Sequence, residues 1–295
     1  MARNKETPQL KEPPRMPTSS NARPVRSAAV LLAAIALVAG ASVPALAGGT
    51  WDGLKPEVFG TRSIAPGAGV VTLRAPFRPE DQRAVPVEID AHFADGRTVK
   101  SVTLVVDENP SPVAAVFTMG SIKPKAQFSV KTRVRLNQET SVRVIVEASD
   151  GALYMAAQHV RFAGGQAACA APPMGNPEDI LASMGRMQLE DMPAADAPAA
   201  TSLSHRVRLA ISHPNHTGMA LDQITLLYIP LRMVTSLEVR QGDAKLFDVA
   251  GSITLAQNPV FEFDVDLLGG HELAVELKDS DDTVWLQRLP IRAGS

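Results

Sequence analysis

Apolar and polar side chains alternate with a period of two over short stretches along most of this chain. Val85, Val87, Ile89, Ala91 and Phe93 alternate with Pro86, Glu88, Asp90 and His92, and the same period returns at 128–130, 134–136 and 142–146. In a strand successive side chains point to opposite faces, so this pattern predicts half-buried strands. Turn-forming residues punctuate them: Asp95-Gly96, then Glu108-Asn109-Pro110-Ser111-Pro112 after an apolar run at 102–106, Asn137-Gln138, and Ser149-Asp150-Gly151. Short strands at intervals of roughly ten residues indicate an antiparallel sandwich.

A second block, 203–291, has the same style. Val207, Leu209 and Ile211 alternate, as do Leu237 and Val239, Ile253 and Leu255, Phe261, Phe263 and Val265, and Leu273, Val275 and Leu277. The separators are Gly242-Asp243, Asn258-Pro259, Gly269-Gly270 and the acidic run 279–282, expected as a solvated hairpin turn. Neither block carries a helical period of useful length, which argues against α/β architectures.

Between the blocks, 163–202 is rich in Ala, Gly and Pro. Its ends have linker composition. Its middle predicts a short helix over 177–184: Asn176 as the cap, Pro177 in the first position, Glu178 and Asp179 against the positive end of the dipole, and Gly185 as the stop. The apolar side of that helix, Ile180, Leu181 and Met184, is expected to rest on a sandwich.

The N-terminus carries Arg3, Lys5, Lys11, Arg15, Arg23 and Arg26, then an apolar run over 28–43 and Ala45-Leu46-Ala47. This is the pattern of a secretory signal peptide cleaved after Ala47, and the run is short for a membrane anchor. The division expected is therefore a signal peptide at 1–47, one sandwich at 48–162, an arm, helix and linker at 163–202, and a second sandwich at 203–295. The signal removes six basic and two acidic residues from 29 and 31, leaving a mature charge near −6. That sign argues against nucleic acid and against stable association with anionic membranes.

Cys169 is the single cysteine. In an exported protein an unpaired thiol is buried and inert, joined to another molecule, or kept reactive. It stands among Gly164, Gly165, Gln166, Ala167, Ala168, Ala170 and Ala171, with no bulky aliphatic or aromatic side chain within four residues on either side. The expectation is a solvent-exposed thiol on a flexible arm that samples many conformations. The nearest cation in sequence is Arg161, so self-activation of the thiol looks weak. His213 and His216 are separated by a proline turn without an obvious third ligand, and the sulfurs of Met184, Met187 and Met192 fall at irregular intervals. No metal is assigned. No nucleophile elbow, phosphate loop or cofactor fingerprint is present, and the chain is not expected to be an enzyme or to bind a cofactor.

Taken in order, a set of motifs resembles the SoxYZ sulfur-compound carriers, in a form with both halves fused. In the first half these are Trp51, Phe59-Gly60, Val85-Pro86-Val87, Asp107-Glu108-Asn109-Pro110-Ser111-Pro112, Thr132-Arg133-Val134-Arg135-Leu136, Asp150-Gly151-Ala152-Leu153-Tyr154 and the glycine pair before the cysteine. In the second half they are Ile211-Ser212-His213-Pro214, Thr217-Gly218-Met219, Tyr228-Ile229-Pro230 and Asn258-Pro259-Val260-Phe261-Glu262-Phe263. The fused form resembles the subgroup associated with quinoprotein dehydrogenases. The resemblance implies an all-β chain of two immunoglobulin-like sandwiches, with Cys169 as the covalent attachment point for sulfur intermediates. It also implies periplasmic sulfur-oxidation or quinoprotein dehydrogenase enzymes as partners. The family's arm carries glycines on both sides of the cysteine, whereas alanines stand here, with a narrower backbone map. Two other readings remain open: a thiol-bearing accessory of a periplasmic quinoprotein alcohol dehydrogenase system, and a non-catalytic immunoglobulin-like binding module.

Overall fold

The structure, a computed structural model, describes residues 50–121, 124–162, 164, 167–192, 204–266 and 270–291. The first half holds α1 (Thr50–Phe59), β1 (Ile64–Pro66), β2 (Val71–Arg74), β3 (Val85–His92), β4 (Val99–Val106), β5 (Val113–Met119), β6 (Gln127–Val134), β7 (Thr140–Ala148) and β8 (Leu153–Val160). Then come α2 (Pro177–Ser183) and β9 (Met187–Asp191). The second half holds β10 (Ser204–Ile211), β11 (Val234–Gln241), β12 (Ala244–Gly251), β13 (Val260–Asp266), β14 (Glu272–Asp279) and β15 (Val284–Pro290). The chain is all-β, with two immunoglobulin-like halves.

The halves are joined edge to edge. One sheet runs β1-β8-β7-β4-β5-β12-β11-β14-β15 and the other β2-β3-β6-β13-β10-β9, so each sheet passes from the first half into the second. The crossing pairs are β5 with β12, in register from Met119 opposite Phe247 to Ala115 opposite Gly251, and β6 with β13 through Val130 and Phe263. At this seam Gly120 is required by space: a Cβ there would lie 1.8 Å from the carbonyl oxygen of Lys245.

One hydrophobic core fills the space between the sheets across both halves. Its centre is aromatic. Phe117 and Phe128 of the first half meet Phe247 and Phe261 of the second, with ring centroids 5.8 to 6.2 Å apart, and Phe247 meets Phe263 at 4.9 Å. Each such ring contributes roughly 1.5–3 kcal/mol by burial, and the tilted and edge-on pairings add to it. The two halves therefore share the contacts that stabilise them.

The alternating segments at 85–92, 128–130, 142–146, 207–211, 237–239, 261–265 and 273–277 lie in strands with the alternate apolar residues facing inward, the apolar run 102–106 lies in β4 buried throughout, and of 134–136 only Val134 belongs to a strand. The segment 253–255 does not form a strand. It makes a turn with one bridge from Leu255 to Val134, because Ser252 and Thr254 bond locally and across to the first half. Helix α1, with no helical period to announce it, packs Leu54 and Phe59 on Val105, Ile145 and Leu153. Helix α2 starts as expected, with Asn176 accepting the Glu178 N–H, but it buries no residue and leaves Leu181 64% exposed. Its anchorage comes from the following turn, where Gly185, at φ +77°, sits where a Cβ would strike the Trp285 ring. The acidic run is only partly solvated: Asp281 and Asp282 are exposed, but Asp279 is buried and paired with Arg232 and His213.

Candidate functional site

Cys169 sits at the seam. It lies in a tight turn closed by the Ala170 N–H bonding to the Ala167 carbonyl, and only 1% of its surface is exposed. This corrects the expectation of an exposed, free arm. The small neighbours bury little apolar area themselves, but their slimness lets the backbone settle into a crevice whose walls come from distant parts of both halves. Pro172 and Pro173 also lower the entropy lost on settling.

Among the described residues, four side chains fasten the segment. From the first half, Gln82 donates to the Gly164 carbonyl at 3.0 Å and Asn137 Oδ1 accepts the Cys169 N–H at 3.1 Å. From the second half, the Thr217 hydroxyl donates to the Cys169 carbonyl. Gln257 accepts from the Met174 N–H at 2.9 Å and donates to the Met174 carbonyl at 2.7 Å. Gly164, at φ +90°, and Gly175, at φ +102°, bracket the fastened stretch in conformations that favour glycine. Among the other arm residues, Ala168 is buried, and Ala167, Ala170 and Ala171 are half-buried. Gly165 and Gln166 lie outside the described residues.

Asn137 is itself fixed from below. Buried Asn109 accepts the Asn137 N–H at 3.0 Å and donates to the Arg135 carbonyl at 2.7 Å and to Thr254 Oγ1 at 3.2 Å. The Asn109-Pro110 turn thus props the segment that carries both Arg135 and Asn137.

Beneath the cysteine turn is a small cleft. Its lining includes Ala168, Ala171, Arg83, Arg135, His216 and Thr217. Arg135 is 7% exposed, and its guanidinium donates to the carbonyls of Ile253, Leu255 and Pro214. Burial lowers its pKa to about 10, which still leaves it charged at neutral pH, and a Cys169 thiolate acts in the opposite direction. Burial raises the Cys169 pKa, while the Arg135 charge draws it down. The cation that bears on the thiol is therefore Arg135 rather than Arg161, and no sequence proximity announced it.

His213 and His216 part company. His213 is buried, takes the Asn215 N–H on Nδ1 at 3.0 Å and lies 3.4 Å from Asp279 through Nε2. It belongs to the packing of the second half. His216 lines the cleft, where burial and then the charges of Arg135 and Arg232 lower its pKa, so it is neutral at pH 7. Beyond Thr217 the cleft wall continues into a hairpin, bridged at His216–Arg232 and Leu221–Tyr228, whose tip exposes Ile224, Leu226, Leu227 and Tyr228.

The positioning residues Gln82, Asn109, Asn137, Thr217 and Gln257 carry no motif of their own. Asn109, Arg135 and Thr217 fall inside stretches that carry the family resemblance, and that was the available signal.

Residues 55–167 match the family described as sulfur oxidation protein SoxY, and residues 195–290 match the family described as sulphur oxidation protein SoxZ. Cys169 lies just beyond the end of the first match. No curated protein sequence matches the chain. Among solved structures, the sulfur carrier protein SoxY from Chlorobium limicola f thiosulfatophilum is 24% identical, with a TM-score of 0.33 over 38% of this chain and 90% of that one. The two families follow one another in a single polypeptide whose halves share both sheets, and the chain is a fused SoxYZ-like sulfur-oxidation protein.

Proposed function

We propose that this protein is an exported carrier that holds sulfur-compound intermediates covalently on Cys169 and presents them to enzymes outside the cytoplasm. The observation that carries the reading is the placement of the one cysteine: a SoxY-type half and a SoxZ-type half together clasp its turn over a cationic cleft. The signal-like N-terminus supports export. N-terminal sequencing of the protein from the extracytoplasmic fraction is expected to begin at Gly48.

The clasped turn is a resting position. Its fastenings are a handful of side-chain hydrogen bonds, each worth about 1 kcal/mol net, so opening is thermally accessible. Once they are released, the glycines at either end let the thiol bulge outward while both ends stay attached. A client enzyme would find the apolar hairpin tip beside the opening as a surface to grip.

Attachment itself needs a partner. Joining the thiol to a thiosulfate-class anion through a sulfur–sulfur bond releases two electrons and one proton, which a client redox enzyme has to accept. The chain supplies the thiol, a place to shelter the product and an Arg135 charge suited to an anion. Cys169→Ser tests the reading in cells: the variant is expected to accumulate as folded protein while oxidation of reduced sulfur compounds is lost. Unchanged oxidation would refute it.

A further inference from the structure

The charges around the cleft are not equivalent. Arg83 is paired with Asp81 at 3.0 Å and is half exposed. His216 is neutral at pH 7 because burial and neighbouring cations oppose its protonation. Arg232 is paired with Asp279 and Asp281. Arg135 alone among these cations is buried without a carboxylate partner among the described residues; its hydrogen bonds all go to neutral backbone carbonyls. A buried cation whose charge is unmatched is costly unless an anion arrives. The place from which one can arrive is the cysteine turn: Ala168 and Ala171, on either side of Cys169, line the same cleft as Arg135, and the Arg135 charge acts on the Cys169 sulfur.

We propose that Arg135 makes docking of the cysteine turn depend on charge: an anionic group on Cys169 is held closed against Arg135, and a neutral or cationic group lets the turn swing out. The clasp made by Gln82, Asn137, Thr217 and Gln257 contacts the backbone and the flanking residues, so it is blind to what the sulfur carries. Arg135 adds the discrimination. An oxyanion in the cleft gains a charge-assisted contact in a poorly hydrated place, while a cation meets repulsion. The arm then reports the chemical state of its load: anionic loads are sheltered and loads stripped of their anionic end are offered. Arg135 is a positioning residue in this scheme and takes no part in bond making.

The inference rests on the carrier reading for its biological meaning, but the charge dependence is a property of the folded chain and is measured without natural cargo. Disulfide adducts of similar size are placed on Cys169 of the urea-unfolded full chain with methanethiosulfonate reagents bearing sulfonatoethyl, hydroxyethyl or trimethylammonioethyl groups. In each case the thiolate attacks the reagent's divalent sulfur, the new disulfide forms and methanesulfinate leaves. After refolding, release by dithiothreitol is timed and divided by the rate for the same adduct in urea, which removes the intrinsic reactivity of each disulfide. The sulfonate adduct is expected to be released at least about tenfold more slowly than the neutral one, and the cationic adduct no more slowly than the neutral. Arg135→Met should bring the ratio to about one, whereas Arg135→Lys should keep much of it and Arg83→Gln should leave it unchanged. Equal normalised rates in the unsubstituted protein overturn the proposal whether or not Arg135→Met folds. A ratio that survives in folded Arg135→Met, or vanishes in Arg83→Gln, overturns the assignment to Arg135. Cys169 found bare in protein from its own cells would remove the carrier reading and leave this measurement standing; equal release rates would do the reverse.

Discussion

The side chain of Asn137 accepts the backbone N–H of Cys169 at 3.1 Å, and Asn137 in turn gives its own N–H to the buried side chain of Asn109 at 3.0 Å. The position of the thiol is thereby tied to the interior of the first half, while Thr217 ties the same residue to the second. A cysteine in a stretch of alanines and glycines is fixed by bonds to its backbone rather than by contacts of its neighbours' side chains.

Thiol reactivity follows from this closure. Burial keeps the Cys169 pKa raised and bars reagents, with Arg135 offsetting part of the electrostatic effect. At pH 7 the native full chain is expected to react with a maleimide at least about tenfold more slowly than the urea-unfolded chain. Its rate should rise with pH up to a higher pH than that of an exposed cysteine. Equal rates in the two states would show that the turn does not rest in the crevice.

Loosening the clasp should release the thiol without unfolding the protein. Asn137→Ala and Thr217→Val each remove one hydrogen bond to the Cys169 backbone, worth about 1 kcal/mol, and each is expected to raise the native labelling rate about fivefold. The double variant should approach the product of the two effects, with the melting temperature lowered only slightly. Variants that melt well below the parent without faster labelling below the transition would assign these residues to core stability instead.

The strands were legible because their inward residues alternate, as at Val85, Val87, Ile89 and Ala91, and helix α2 was legible because Asn176 and Pro177 announce its start. The merger of the sheets was not, since nothing in the pattern of β5 or β12 tells which edge it will pair with. Strand β12 carries Phe247 and Val249 inward but opens on Lys245-Leu246, which interrupts the alternation. Cys169 was legible as the residue to watch. Its burial was not, because the cover comes from Asn137, Thr217 and Arg135, and local composition reports only what the arm itself can bury. The hydrogen bonds that fix it join residues far apart in sequence, and a stretch of alanines accepts them without a sequence mark.

The shared core predicts that the halves do not separate. Cutting the chain within 193–201 is expected to leave the two fragments together on size exclusion at micromolar concentration, because the strand pairs at the seam and the phenylalanine cluster remain. Phe247→Ala should cost about 3–5 kcal/mol and lower a single unfolding transition, seen equally by probes in either half. Fragments that part, or two separate transitions, would describe independent domains.

Stability should fall in mild acid through His213. Burial lowers its pKa to about 4 from the usual 6.5, and the Asn215 N–H occupies Nδ1, so the folded state favours the neutral ring. With the folded pKa below the unfolded one, the unfolded chain binds the proton more readily between them. The contribution is fully present above about pH 6.5 and is lost as pH falls towards 4, amounting to as much as about 3 kcal/mol. Melting temperatures taken between pH 7 and pH 4.5 should decline, and His213→Gln should flatten that decline. An unchanged slope in the variant would move the acid sensitivity elsewhere.

The most direct measurement is the mass of the Cys169 peptide from the protein isolated from its own cells, grown on reduced sulfur compounds and handled without reductant. Carriage on Cys169 predicts a fraction of that peptide heavier by sulfur atoms, with or without oxygen, returned to the bare thiol by dithiothreitol and missing in Cys169→Ser. A peptide found only as the bare thiol, under conditions in which the cells are oxidising those compounds, would contradict it.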